Sequence, residues 1–210
     1  MTDPVSPLIH LVDDDDGVRT ALAMLLATVD LRVRPWPDPQ RFLEGFDRSS
    51  VGAIVLDGRM PGLSGLTVLD RLREEGVDHP VIMLTGHGSV DMCRRAFKGG
   101  AAEFLEKPAD DDRLIETVLE AVRQHVGSRQ RDAADRDARE RYARLSGRER
   151  EVLLRIVAGL TNKEIARALA LSPRTVETHR NNLSQKLAAG SLAQMIRRYA
   201  GLVEADDSIG

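Results

Sequence analysis

The 210-residue sequence holds a single cysteine, Cys93. That excludes an internal disulfide framework and suits a reducing compartment. No apolar run approaches the roughly 18 residues of a membrane-spanning helix; the longest stretch covers only residues 21–27. The first seven residues carry an acid and two prolines but no basic cluster. No secretory leader is therefore expected, and the chain is expected in the cytoplasm, away from the membrane. Hydrophobic residues make up 42% and charged residues 30%, which excludes a disordered chain. Charge of one sign runs short at each end. Residues 1–124 hold 14 Lys and Arg against 22 Asp and Glu, residues 125–143 hold 5 against 4, and residues 144–210 hold 11 against 7. An acidic unit followed by a basic one is the distribution expected when a regulatory domain is tied to a nucleic-acid binder.

Three segments are expected: residues 1–124, a charged helical linker at 125–143, and residues 144–210. In the first, short apolar runs at 8–12, 51–56, 81–84 and 103–105, with a weaker one at 31–34, alternate with stretches of helical spacing such as Val18, Leu22, Leu25, Leu26. Strand and helix alternating five times predict a doubly wound, flavodoxin-like sheet of five parallel strands in the order 2-1-3-4-5. Heptad spacing in the linker is too poor to indicate a coiled coil. The last segment predicts an all-α unit of four helices. Ser146-Gly-Arg-Glu149, Thr161-Asn-Lys-Glu164 and Ser191-Leu-Ala-Gln194 fit capping boxes, and Ser172-Pro173 supplies an N-cap and an N1 proline. The tail after Val203 is expected to fray.

Ligands bind at the carboxyl ends of the strands in such a sheet. Asp13 and Asp14 follow the first run, Asp57 the third, Thr85 closes the fourth and Lys107 follows the fifth. Three carboxylates at one edge repel one another, which a hard cation such as Mg2+ relieves. A carboxylate can accept a phosphoryl group, whose charge calls for a metal and a fixed cation more than for acid–base help. Lys107 supplies that cation, and the Thr85 hydroxyl can bond the bound phosphoryl.

Val12-Asp-Asp-Asp15, Leu56-Asp-Gly-Arg-Met-Pro-Gly-Leu-Ser-Gly65, Leu84-Thr-Gly-His-Gly88 and Glu106-Lys-Pro108 resemble the receiver domain of response regulators, especially the FixJ branch. The resemblance spans residues 7–124. It implies phosphorylation of Asp57 by a sensor histidine kinase. It also implies Mg2+ held by Asp14, Asp57 and the main-chain carbonyl of Arg59, with Asp13 in support. Thr85 and Phe104 match the family's switch positions and Lys107 its pocket lysine. Ala109 stands where many relatives have an aromatic residue, and Gly99-Gly100 is expected to loosen the fourth helix.

Leu145-Ser-Gly-Arg-Glu-Arg-Glu-Val152, Thr161-Asn-Lys-Glu-Ile-Ala166 and Leu171-Ser-Pro-Arg-Thr-Val-Glu-Thr-His-Arg180 resemble the NarL/LuxR helix-turn-helix. On the second helix of that pair, Val176, Leu183 and Leu187 share a face that must turn to the core. Arg174, Glu177, Thr178, Asn181 and Gln185 share the opposite face, whose hydrogen-bonding tips suit base edges of double-stranded DNA. Lys163, Arg180 and Lys186 flank it and are expected to meet phosphates. Leu192, Met195 and Ile196 either pack internally or pair two copies; the family uses this helix for dimerisation. The expected function is a DNA-binding transcriptional regulator, not an enzyme, that forms a homodimer on activation, with RNA polymerase a candidate further partner. A phosphorylation-independent regulator with a degenerate receiver is the second reading, and the complete set of pocket residues argues against it. A haloacid dehalogenase-like enzyme needs its nucleophile at the first strand, where Asp13–Asp16 run into Gly17-Val18 and do not fit.

Overall fold

The computed structural model describes residues 6–86 and 88–207. Residues 1–5, within the segment read for a leader, and His87, within the 84–88 motif, lie outside the described residues. The chain divides into two compact units, residues 1–130 and 131–210.

The first unit alternates β1 (Leu8–Val12), α1 (Asp16–Ala27), β2 (Arg32–Trp36), α2 (Pro39–Gly45), β3 (Gly52–Asp57), α3 (Gly65–Glu74), β4 (Val81–Thr85), α4 (Val90–Lys98) and β5 (Glu103–Glu106), before α5 (Asp111–Ala143). All pairings are parallel, in the expected order β2-β1-β3-β4-β5. Every residue of β3 and β4 is buried, as strands covered by helices on both faces require. One face packs Ile54, Leu56, Met83, Leu69 and Leu72 together; the other packs Ile9, Leu11, Val55, Leu84, Leu114 and Val118. β2 is an edge strand and three of its five residues are exposed. Pro35 is tolerated there because an edge strand does not need every N–H.

Helix starts follow local chemistry. Asp15, Asp38, Ser64 and Ser89 cap α1, α2, α3 and α4 through side-chain oxygens that accept backbone N–H groups. Gly99-Gly100 does not loosen α4 but ends it: Gly99 is its C-cap, and Gly100 takes the left-handed φ of 85° that favours glycine.

α5 runs unbroken through residues 125–143, and its last part packs in the second unit, where Ala138 joins the core. There follow α6 (Gly147–Val157), α7 (Asn162–Ala168), α8 (Pro173–Lys186) and α9 (Leu192–Asp207). Both capping boxes of α6 and α7 form. The third does not close: Ser191 Oγ accepts from Gln194 N, but the Gln194 side chain turns to Gly190 N, 2.9 Å away. Val176, Leu183 and Leu187 are fully buried, with Val152, Leu153, Ile165 and Tyr199 around them. Residues 204–207 are helical rather than frayed, tied by the Tyr142 hydroxyl donating to Asp206 at 2.8 Å, and the rest of the tail, 208–210, lies outside the described residues.

Candidate functional site

Asp13, Asp57, Thr85 and Lys107 arrive from the carboxyl ends of β1, β3, β4 and β5, which the register of the sheet sets side by side. Lys107 Nζ donates to Asp13 Oδ2 at 2.5 Å and to Asp57 Oδ1 at 2.9 Å. The second oxygen of Asp57 accepts from Arg59 N at 2.8 Å, and Asp13 Oδ1 accepts from Asp15 N at 3.0 Å. Both carboxylates are buried, whereas Asp14 is exposed beside them. Burial pushes the Asp57 carboxyl above its ordinary range, against the pull of Lys107 and Arg59. Burial opposes the Lys107 charge as well, but bonds to Asp13 and Asp57 outweigh it and raise the ammonium. The site therefore holds two partly dehydrated carboxylates on one cation.

Close packing fixes this edge. A Cβ at Gly65 would stand 2.1 Å from the Asp57 carbonyl oxygen, and one at Gly58 would stand 2.8 Å from Thr85 Oγ1. Both positions need glycine for close approach rather than for backbone freedom. Thr85 is fully buried and Phe104 is partly buried against the core around α3 and α4. Sequence reasoning missed Arg19, which is buried, donates Nη1 to the Asp13 carbonyl at 2.6 Å and pairs with Asp16. Its position one turn after Asp16 in α1 is the only trace of that role. Among the described residues, Asp13, Asp14 and Asp57 do not bring three ligand atoms within 4.8 Å of one another. The donor set is nevertheless all oxygen, and its two buried members already share a cation, so it fits a hard dication held next to Lys107.

In the second unit, Arg174, Glu177, Thr178, Asn181 and Gln185 all lie exposed along α8, opposite the buried Val176 and Leu183. Thr178 Oγ1 spends its proton on the Arg174 carbonyl at 3.0 Å, leaving its lone pairs and methyl outward. The turn between α7 and α8 closes through Leu171 N to Ala166 O at 2.8 Å, with Ala170 at a left-handed φ of 51°. Lys163 is exposed on α7. Arg180 and Lys186 have internal partners: Arg180 Nη1 donates to Asn162 at 2.8 Å, and Lys186 Nζ lies 2.7 Å from buried Glu149. Met195 and Ile196 pack internally, while Leu192 is exposed.

Residues 9–119 match the family of response regulator receiver domains, and residues 143–199 match the luxR family of bacterial regulatory proteins. The chain belongs to the response regulator family. It couples a receiver to a LuxR-type DNA-binding region, the make-up of a two-component transcription regulator. It is 44% identical to the transcriptional regulatory protein FixJ of Azorhizobium caulinodans over 98% of each chain. Against FixJ of Bradyrhizobium diazoefficiens, identity is 41% over 90% of this response regulator and 92% of that protein. The solved structure of the response regulator StyR has a TM-score of 0.81 at 34% identity, covering 93% of this chain and 99% of that one. No helix among the described residues is long and apolar enough to cross a membrane.

Proposed function

We propose that residues 1–124 accept a phosphoryl group on Asp57 from a sensor histidine kinase and thereby control DNA binding by residues 144–210, with 125–143 as the linker. The shared ammonium carries this reading: Lys107 Nζ stands 2.5 Å from Asp13 and 2.9 Å from Asp57, where four strand ends meet. A carboxylate oxygen of Asp57 attacks phosphorus; an O–P bond forms as the N–P bond to the donor imidazole breaks, and that nitrogen keeps the electron pair. Lys107 stays protonated and faces the charge that gathers on the phosphoryl oxygens. Asp14, Asp57 and the Arg59 carbonyl, with Asp13 in support, would hold Mg2+, which supplies a second positive charge to those oxygens. The Thr85 hydroxyl donates to the phosphoryl group, and Phe104 follows Thr85.

On α8, Arg174, Glu177, Thr178, Asn181 and Gln185 read base edges in the major groove, and Lys163 and Arg180 meet phosphates. Lys186 takes part only in so far as it leaves Glu149. Activation joins two copies on a two-fold DNA site in the cytoplasm, where RNA polymerase is a candidate further partner. Intact-mass measurement after incubation with acetyl phosphate and Mg2+ tests the centre of this reading. One phosphoryl group is expected on the native chain and none on Asp57→Ala; full phosphorylation of the variant sinks the assignment. Loss of uptake in both would instead favour a phosphorylation-independent regulator.

A further inference from the structure

At the amino ends of β3 and β4, the opposite end of the sheet from Asp57, lies a cluster of histidines. His10, His79 and His125 are buried, and the His79 and His125 rings stand 4.4 Å apart. The proton positions follow from the partners. Ser50 Oγ spends its hydrogen on the Asp47 carbonyl at 2.6 Å, so it can only accept from His79 Nε2 at 3.3 Å. His79 Nδ1 therefore carries a bare lone pair, and this fully buried atom has no hydrogen-bond partner. His125 Nδ1 stands against Gly52, 3.1 Å from its N–H and 2.8 Å from its carbonyl oxygen; because His125 Nε2 accepts from Arg129 Nε at 3.2 Å, we assign the proton to Nδ1, bonded to the nearer carbonyl. Two imidazole nitrogens without protons thus lie near Asp78 Oδ1, His79 Nδ1 at 3.8 Å and His125 Nε2 at 3.5 Å.

We propose that Asp78, His79 and His125 form a binding site for a borderline divalent transition metal of the Zn2+ type. Four-coordinate Zn2+ with bonds near 2.1 Å keeps its ligand atoms about 3.4 Å apart, and the three ligand atoms here already lie within 4.8 Å of one another. Two nitrogens and one oxygen select Zn2+ over Mg2+, which takes oxygen donors. Metal-bound imidazoles usually donate their second N–H to a carbonyl or hydroxyl oxygen, which fixes the tautomer; Gly52 O and Ser50 Oγ do so here. The guanidinium of Arg129 now sits at the place of the ion. Its Nη2 is 3.1 Å from Asp78 and its Nε 3.2 Å from His125, but it gives nothing to His79 Nδ1. A dication satisfies all three ligands at once, with Arg129 displaced toward solvent and water in the fourth position.

The test is a titration of the metal-free full chain with Zn2+ against a chromophoric chelator, with excess Mg2+ present to occupy the acidic pocket at the other end. Co2+ serves as the spectroscopic probe. One equivalent is expected to bind, with the intense visible absorption of a four-coordinate Co2+ site. Asp78→Asn and His125→Gln should each weaken Zn2+ binding about tenfold or more, and Arg129→Ala should tighten it. Asp78 is nearly half exposed, so its variant stays informative if His125→Gln fails to fold, which the emission of Trp36 reports. Unchanged affinity in Asp78→Asn, weaker binding in Arg129→Ala, or no stoichiometric binding to the native chain would each overturn the site.

Discussion

Two buried carboxylates of the first unit, Asp13 and Asp57, share one ammonium, whereas a single buried carboxylate of the second, Glu149, is served by three donors. Glu149 accepts from Ser146 N at 2.8 Å, Ser146 Oγ at 2.9 Å and Lys186 Nζ at 2.7 Å. Burial opposes the Glu149 charge, but Lys186 and Ser146 hold its carboxyl down to about 2. Asp57, by contrast, is raised. One buried carboxylate thus has its own ammonium where it joins α6 to α8, whereas two divide a single ammonium at the site proposed for phosphorylation. Functional sites often keep groups that the fold alone would neutralise.

Aromatic residues let each unit be followed separately in the intact chain. Trp36, the only tryptophan, lies in the first unit; Tyr142 and Tyr199, the only tyrosines, lie in the second. The largest expected difference is toward acid. Burial, then Arg34, holds His10 down to about 4, and burial, then His125, does the same for His79, against 6.5 for a free imidazole. Between those values the unfolded chain takes up protons that the folded unit refuses, so the first unit loses stability as pH falls from 6.5 toward about 4. Glu149, lowered from 4.5 to about 2, keeps its contribution above 4.5 and loses it only below. In urea melts at stepped pH, the Trp36 transition should weaken well before the tyrosine transition. Trp36 Nε1 donates to His10 Nδ1 at 3.1 Å, so its emission also senses the proton directly. Simultaneous loss of both transitions would break the comparison.

Substitutions sharpen it. Glu149→Ala removes a helix cap and charge-assisted hydrogen bonds together and should destabilise the second unit by about 3 kcal/mol. The tyrosine transition alone should move. Asp57→Asn goes the other way: it removes one of two crowded carboxylates and should stabilise the first unit by about 1 kcal/mol, read as a later Trp36 transition. A destabilised Asp57→Asn would mean that Asp57 is held for the fold.

The face of α8 proposed to read DNA offers a finer division. Asn181→Ala should relax base preference at one position of each half-site by roughly 1–3 kcal/mol. Lys163→Ala should weaken all sequences alike and flatten the salt slope by about one unit. Lys186→Ala should also lower the stability of the second unit, because it strands Glu149. If Lys186→Ala changed only the salt slope and left the tyrosine transition in place, the ion pair would carry no structural weight.

Much of this molecule was legible in the sequence because the deciding forces are local or periodic. Alternating apolar runs and helical spacing suffice to imply a doubly wound sheet, whose strand ends then gather Asp13, Asp57, Thr85 and Lys107. Ser146, Thr161 and Ser172 announce their helices because capping acts over three residues. The weaker 31–34 run sits one or two residues early, since β2 is an exposed edge strand with little apolar pattern to place it. Contacts between residues far apart in the chain left no such trace. Nothing near Lys186 says that its ammonium meets Glu149, 37 residues away. Nothing in the run around Asp78 and His79 points to His125, or to the Gly52 carbonyl that sets its tautomer from 73 residues away. Spacing determined which elements form and which edge carries the acids. Only the tertiary structure decided which charges are satisfied and which ring nitrogens lie near one carboxylate, because burial and pairing depend on neighbours that the chain brings together late.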